Sequence, residues 1–268
     1  MSAITLALQG IVAPELRDYG VRIPYAAKTF GHLVDGLEIG MHAHMAPNIA
    51  QRILRPDVKK TLREFSRNSL HFAAHPDHPV DSEVLSSIIG LSSSLYEEGL
   101  IHTVSFHLDM QPFLDTIRQS LPLELRVLFE NLDGRSTAFN TLEAMVQAVR
   151  DFPGWGVLLD VAHVLEMQEH TGQSVQDFFS ALGDSIRQIH FSMPGHLYEK
   201  DDLWPGFEAM HSFAFLGGEA AFGAYQSVDL LSIEHITLEG VIPPNHEDYV
   251  AREIEYLKSL RPSSKSLS

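Results

Sequence analysis

Four short apolar runs, each ending in a side chain that binds protons or metals, constrain this chain more than any other feature. They are Arg126-Val127-Leu128-Phe129-Glu130, Gly156-Val157-Leu158-Leu159-Asp160, Arg187-Gln188-Ile189-His190 and Leu230-Leu231-Ser232-Ile233-Glu234. A run that is apolar on both faces reads as a strand buried on both sides, as in a parallel sheet covered by helices. A carboxylate at the end of such a strand needs a partner, because an unpaired buried charge costs more than a fold can spare. Glu130, Asp160, His190 and Glu234 at four successive strand ends therefore make, by composition, a divalent-metal site.

Strand and helix alternate along the rest of the 268 residues. Strands are expected over residues 4–8, 36–41, 69–73 and 103–106, ahead of the four runs above. Helices are expected near 47–65, 81–98, 111–120, 141–150, 175–182 and 247–260. In the second of these, Val84, Ile88, Leu91 and Leu95 fall three and four residues apart, the spacing of one helix face. Eight strand–helix units argue for the α/β class and a single (β/α)8 barrel over residues 1–261, with the site at the C-terminal ends of the strands and a loose tail at 262–268.

Those strand ends gather an unusual set of groups. Besides the four already named, His42 or His44, His71, His107 and His163 fall there, among fifteen histidines in all. Singly, each is explained by a structural hydrogen bond or an internal ion pair. Together they are not, since converging carboxylates repel one another unless a cation lies between them. The chain has no cysteine, so any metal must rest on His and carboxylate. That absence also fits a reducing cytoplasm. The N-terminus lacks the charged and apolar regions of a signal peptide, and no stretch reaches the ~20 apolar residues of a membrane span. A formal charge of −16 opposes polyanionic partners, so nucleic acid is not expected. Arg52, Arg55, Lys59, Lys60, Arg63 and Arg67 cluster on one helix, and a solvated outer face is the favoured reading.

The motifs Leu70-His71-Phe72, Ser105-Phe106-His107, Phe129-Glu130-Asn131, Leu159-Asp160-Val161-Ala162-His163, Ile189-His190, His211 ahead of Phe215-Leu216-Gly217-Gly218-Glu219, and Ile233-Glu234 resemble the xylose-isomerase-like barrels. These include endonuclease IV (AP endonuclease family 2) and related sugar isomerases and epimerases. Coverage runs from about residue 69 to the end. By this resemblance, the epimerase branch implies one divalent ion on Glu130, Asp160, His190 and Glu234. The endonuclease branch adds ligands at His71, His107, His163 and His211, with Glu130 as a bridge. A third ion in that branch also uses an Asp two residues before the matched histidine, a position held here by Ala209.

The preferred expectation is a metal-dependent isomerase or epimerase of a small sugar, sugar phosphate or hydroxy-ketone, using one or two ions of Mn, Zn, Co, Mg or Fe. In it Glu130 and Glu234 pass a proton through an enediolate. The alternative is a multinuclear phosphoesterase of the endonuclease IV type, with His71 and His107 on a second ion. Asn131, His163, His196 and Trp204 are expected to contact the small-molecule substrate. His196 also reads as a solvated loop residue. Trp204 with Phe207 reads either as an apolar lid or as packing on the barrel rim. A homo-oligomer is left open by the sequence.

Overall fold

In the computed structural model, which describes residues 2–75, 77–133, 140–195, 211–226 and 228–260, eight parallel strands pair side by side until the sheet closes on itself. They are β1 (Ala3–Ala7), β2 (Gly36–His42), β3 (Ser69–Ala73), β4 (Thr103–His107), β5 (Arg126–Glu130), β6 (Gly156–Asp160), β7 (Ile186–Phe191) and β10 (His235–Leu238). The order around the barrel is β1-β10-β7-β6-β5-β4-β3-β2. Two short strands, β8 (Met193–Pro194) and β9 (His211–Ser212), form a separate antiparallel pair beyond β7. The expected (β/α)8 barrel is the fold.

Alternation along each strand divides its side chains between two environments. Leu70, Phe72, Phe106, Phe129, Leu159, Ile189, Phe191, Ile236 and Leu238 are fully buried and belong to the apolar core. The surrounding helices begin where their sequences dictate. Asp81 caps α4 (Ser82–Glu97) through the N–H groups of Glu83 and Val84. Ser174 and Asp177 make a reciprocal capping box at α8 (Val175–Leu182). The helix expected over 47–65 is instead two, α2 (Ala46–Ile53) and α3 (Pro56–Leu62), because Pro56 disfavours helical backbone at Arg55 and starts a new helix itself.

The inward-facing positions are less usual. Barrel interiors are generally filled by layers of branched apolar side chains. Here Thr5, Glu38, Ser69, Gln188, His235 and Thr237 are all buried, and they bond to one another. Gln188 Nε2 donates to Glu38 Oε2 at 2.7 Å and to Thr237 Oγ1 at 2.8 Å. Ser69 Oγ donates to the same Glu38 oxygen at 3.2 Å, and Thr5 Oγ1 lies 2.9 Å from Thr237 Oγ1 and 2.8 Å from His235 Nε2. Burial drives His235 down to about 4, so its ring is neutral. The barrel axis is thus a hydrogen-bonded polar network that ends upward in a carboxylate, with Gln188 Oε1 the one buried oxygen of these side chains that lacks a partner among the described residues.

One expected strand is displaced. The run over 230–234 is not a strand but a turn: Asp229 accepts from Leu231 N–H through its side chain and from Ser232 N–H through its carbonyl. Leu231 is 61% exposed. The eighth barrel strand is the next run, His235-Ile236-Thr237-Leu238, which also ends at a glutamate, Glu239. Two apolar runs, each followed by Glu, lie in tandem, and only pairing with β1 and β7 selects between them.

Outside the barrel, the buried carboxyl of Glu253 on α10 (Asp248–Leu260) accepts from Ala214 N–H at 2.7 Å and Phe215 N–H at 2.9 Å, fixing the 3-10 turn after β9. Burial outweighs these two donors and pushes its pKa up to about 8. Between its ordinary value of 4.5 and about 8, the folded chain holds this proton and the unfolded chain does not. The resulting stabilisation is therefore complete below 4.5 and is lost as pH rises through about 8. In urea titrations, the stability of wild type relative to Glu253→Gln should fall across that window with a slope approaching ~1.4 kcal/mol per pH unit. A pH-independent difference would show that the carboxyl is ionised throughout.

Candidate metal centre

Three carboxylates at strand ends and one from inside β2 converge on one imidazole. His190 of β7 is fully buried, with Nδ1 at 2.8 Å from Glu239 Oε2, 3.0 Å from Glu130 Oε1 and 3.3 Å from Asp160 Oδ2. Its Nε2 lies 2.9 Å from Glu38 Oε1, at the top of the polar network. Glu130 continues the chain of contacts. Its Oε2 sits 3.0 Å from His107 Nε2 and 3.3 Å from His71 Nε2. On the other side His211 Nδ1 is 3.0 Å from Glu239 Oε2 and 3.6 Å from Asp160 Oδ2, and His163 Nδ1 is 3.7 Å from Asp160 Oδ2.

Three groups of donor atoms result, each compact enough to surround a single ion: His71, His107 and Glu130; Glu130, Asp160 and His190; Asp160, His163 and His211. Two of them share Glu130 and two share Asp160. Local structure explains the placement. Glu130, Asp160 and His107 end their strands, and Asp160 also caps α7 (Val161–Thr171) by accepting from His163 N–H at 2.9 Å, which carries the His163 ring back over the same strand end.

The polar neighbours of these imidazoles fix which nitrogen faces inward. A carboxylate can only accept, so His190 donates Nε2–H to Glu38. His163 likewise donates Nδ1–H to the Asn131 carbonyl at 2.9 Å. Ser105 Oγ donates to the Leu70 carbonyl at 3.3 Å, leaving its oxygen to accept from His71 Nδ1–H at 2.9 Å. The remaining nitrogen of each ring presents a lone pair when it carries no proton, the arrangement that orients metal-binding histidines.

The electrostatics match. Burial alone would raise Glu130, but the imidazoles of His71, His107 and His190 hold its carboxyl well below the usual range. Glu239 is held well below it in the same way by His190 and His211. Burial opposes charge on His190 and His211, yet Glu239 with Glu38 and Glu130 raises the first well above its usual value, and Glu239 with Asp160 raises the second to about 10. Protons on imidazoles are thus what balances these carboxylates in a metal-free chain, and a cation does the same work. Glu130 Oε2 and Glu239 Oε2 are buried without an aligned hydrogen-bond donor. Two such oxygens, beside imidazole nitrogens that a cation would deprotonate, fit a divalent ion.

The structure gathers Glu130, Asp160, His190, His71, His107, His163 and His211 as the sequence reading grouped them. Glu234 is the correction. It precedes β10 rather than ending it, lies at the opposite end of the barrel, is 37% exposed in its side chain, and pairs with Arg126 at 2.5 Å and Arg187 at 3.1 Å. Its place is taken by Glu239. Asn131 is also reassigned. Its amide is spent on the Asp160 backbone, Nδ2 donating to Asp160 O at 2.9 Å and Oδ1 accepting from Asp160 N–H at 2.8 Å, so it clamps two strand ends together instead of facing a substrate. His196, Trp204, Phe207 and Ala209 lie outside the described residues.

The sequence reading missed Glu38 and Gln9. Glu38 is the middle of Gly36-Leu37-Glu38-Ile39-Gly40, a charged residue inside an apolar strand, and that anomaly was the available signal. Gln9 Nε2 donates to Glu239 Oε1 at 3.0 Å, in space left by Gly40, where a Cβ would stand 1.7 Å from Gln9 Oε1. Nothing in the sequence pointed to Gln9. The basic helix face has its own partners: Arg52 with Asp18, Arg55 with Asp57, and Lys59 and Arg63 with Glu98.

No protein-family model matches the chain, and no curated protein does. Solved structures do. The chain is similar to endonuclease IV from Thermus thermophilus, with a TM-score of 0.62, 16% identity and coverage of 96% of this chain and 99% of that one. It is similar to the probable 3-DHS dehydratase AsbF involved in petrobactin synthesis from Bacillus anthracis, at 0.60, 15%, 96% and 99%. A xylose isomerase domain protein from Planctomyces limnophilus aligns at 0.60, 12%, 97% and 96%. At such identities the likeness is one of fold.

Two substitutions test the corrected ligand set. Glu239→Gln should weaken binding of Mn2+ or Zn2+, whereas Glu234→Gln should leave it unchanged and cost at most ~1 kcal/mol, the range of an exposed ion pair. The reverse result would restore the sequence assignment. Glu38→Gln, which leaves every proposed ligand in place, should weaken metal affinity by about 10- to 100-fold, the effect of losing an orienting partner. Unchanged affinity would reduce Glu38 to a structural role.

Proposed function

We propose that this chain, a barrel of the xylose-isomerase-like fold, is a metal-dependent enzyme that hydrolyses a phosphoester in a small substrate. The observation that carries this reading is the position of Glu130. One of its oxygens faces His71 and His107 and the other faces His190, the disposition of a carboxylate shared between two ions. A centre for a single ion has no need of the His71–His107 arm.

Glu130, Asp160, His190 and Glu239 would hold one ion, and His71, His107 and Glu130 a second. When bound, divalent ions supply neutralisation of the charge that develops on a phosphoryl group and on its leaving oxygen. The chain's own groups set the geometry. Ser105 and Glu38 hold the His71 and His190 rings in the required tautomers, and Asn131 ties the ends of β5 and β6 together. His163 and His211 stand together over Asp160. A third ion there would lack the carboxylate that the endonuclease branch implies at position 209, where this chain has alanine. The net charge of −16 favours a small substrate over a nucleic-acid chain.

A second reading keeps the isomerase or epimerase, with Glu239 in the role first given to Glu234. Glu130 and Glu239 flank His190 Nδ1 at 3.0 and 2.8 Å, two carboxylates able to take and return a proton. Joint substitution of His71 and His107 by Gln separates the two. For the hydrolase, one equivalent of metal should disappear and turnover of small phosphoesters should fall by more than the ~100-fold that a lost orienting partner costs. Unchanged metal content with sugar or hydroxy-ketone interconversion retained would favour the isomerase.

A further inference from the structure

Each carboxylate around His190 Nδ1 has one oxygen engaged elsewhere. Asp160 Oδ1 accepts from His163 N–H at 2.9 Å, which leaves Oδ2 toward His190. Glu130 divides its pair, with Oε1 facing His190 and Oε2 facing His71 and His107. Glu239 Oε1 accepts from Gln9 Nε2 at 3.0 Å, which leaves Oε2 toward His190 and His211. Beside His190 Nδ1, each therefore presents a single oxygen.

Two of these restraints are inherent in the layout, since Asp160 is held by the backbone of its own helix and Glu130 lies between two groups. The third depends on one side chain. Gln9 sits in the 3-10 turn Leu8–Gly10 that follows β1. That turn is pinned to the stretch beyond Glu239: Gly10 O accepts from Ile242 N–H at 2.8 Å, and a Cβ on Gly10 would stand 2.5 Å from Gly240 O. The Gln9 amide rests on Gly40 of β2, where a Cβ would meet Gln9 Oε1, Cδ and Nε2 at 1.7, 2.5 and 2.8 Å. Gln9 Oε1 is buried there without a hydrogen-bond partner. The Nε2 bond alone thus sets the amide, because the reverse orientation would press an oxygen against Glu239. A side chain that buries an unpaired oxygen to make one bond needs an explanation at the other end of that bond.

We propose that Gln9, in the space Gly40 leaves for it, is a positioning residue that restricts Glu239 to binding through one oxygen and so keeps a coordination position open for substrate on the ion beside His190. The inference rests on the metal-dependent reading above. His190 Nδ1, Glu130 Oε1, Asp160 Oδ2 and Glu239 Oε2 are four donor atoms. With four, a zinc ion can still expand to five ligands, and an octahedral ion such as Mg2+ or Mn2+ lacks two. Carboxylates also bind through both oxygens. Released from Gln9, Glu239 Oε1 would be free to do so and would fill the position that substrate needs.

Chelator-stripped full-length protein reloaded with Co2+ provides the test, because the visible d–d absorption of Co2+ weakens as its coordination number rises. Gln9→Met, similar in length but without the N–H donor, should keep the metal equivalents of wild type and show a weaker band. Inorganic phosphate, which shifts the wild-type band by taking the open position, should need about 10- to 100-fold more to act on the variant, the range of a lost orienting partner. Gly40→Ala, which keeps Gln9 but takes its space, should do the same, and the two changes together should do no more than either alone. Circular dichroism checks folding, and Gly40→Ala carries the test if Gln9→Met does not fold. A wild-type band and phosphate response in the folded variants would overturn the inference and leave the centre standing. Loss of a metal equivalent would also overturn it, since Gln9 would then support affinity rather than openness. Co2+ content and band unchanged by Glu239→Gln would instead remove Glu239 from the centre, and the inference with it.

Discussion

Everything at the active end of this barrel depends on how the charge of buried carboxylates is balanced. Glu38, Glu130, Asp160 and Glu239 all lie within hydrogen-bonding or ion-pairing distance of the His190 ring. Burial at this depth makes an isolated carboxylate prohibitively costly. The fold tolerates the cluster because imidazoles are built into the same layer, with His71 and His107 on one flank and His163 and His211 on the other. Removing positive charge from the centre would therefore act on stability as well as on chemistry.

The polar barrel interior follows from the same constraint. Glu38 needs partners for both oxygens, and it finds them in His190 above and in Gln188 and Ser69 below. Those residues need partners in turn, and Thr5, Thr237 and His235 supply them. An axis that would ordinarily be filled with Val, Ile and Leu becomes a hydrogen-bonded stack under the site. Such a stack gains little net free energy per bond, but it restricts the orientation of each group that it bonds. Its structural product is a His190 ring held by one nitrogen from beneath.

Above the centre the strand ends differ in character. The β5, β6 and β7 side is buried and charged, whereas beside β2 and β3 His42 and His78 are exposed. Burial first, then the neighbouring His75, disfavour charge on His42. The antiparallel pairing of β8 and β9 brings His211 in from the other side. There Tyr225 fixes Ser192 by donating to its carbonyl at 2.7 Å and accepting from its N–H at 2.9 Å.

The sequence alone determined the barrel and most of the centre. Period and punctuation suffice for the fold, since short apolar runs alternate with helical patterns, several of which open on a capping side chain such as Asp18, Asp81, Thr141 or Ser174. Glu130, Asp160, His190, His107 and His71 were legible because a polar residue within or ending an apolar strand has few places to go. Tertiary structure decided the rest. Glu234 and Glu239 both follow apolar runs, and only hydrogen bonding to β1 and β7 shows which run enters the barrel. Asn131 looks like a contact residue until the Asp160 backbone is seen to occupy its amide. Glu38 and Gln9 join the site through partners 152 and 230 residues away in the chain. No local pattern encodes contacts at that separation, because which side chains share the inside of a closed barrel is settled by register around the whole ring.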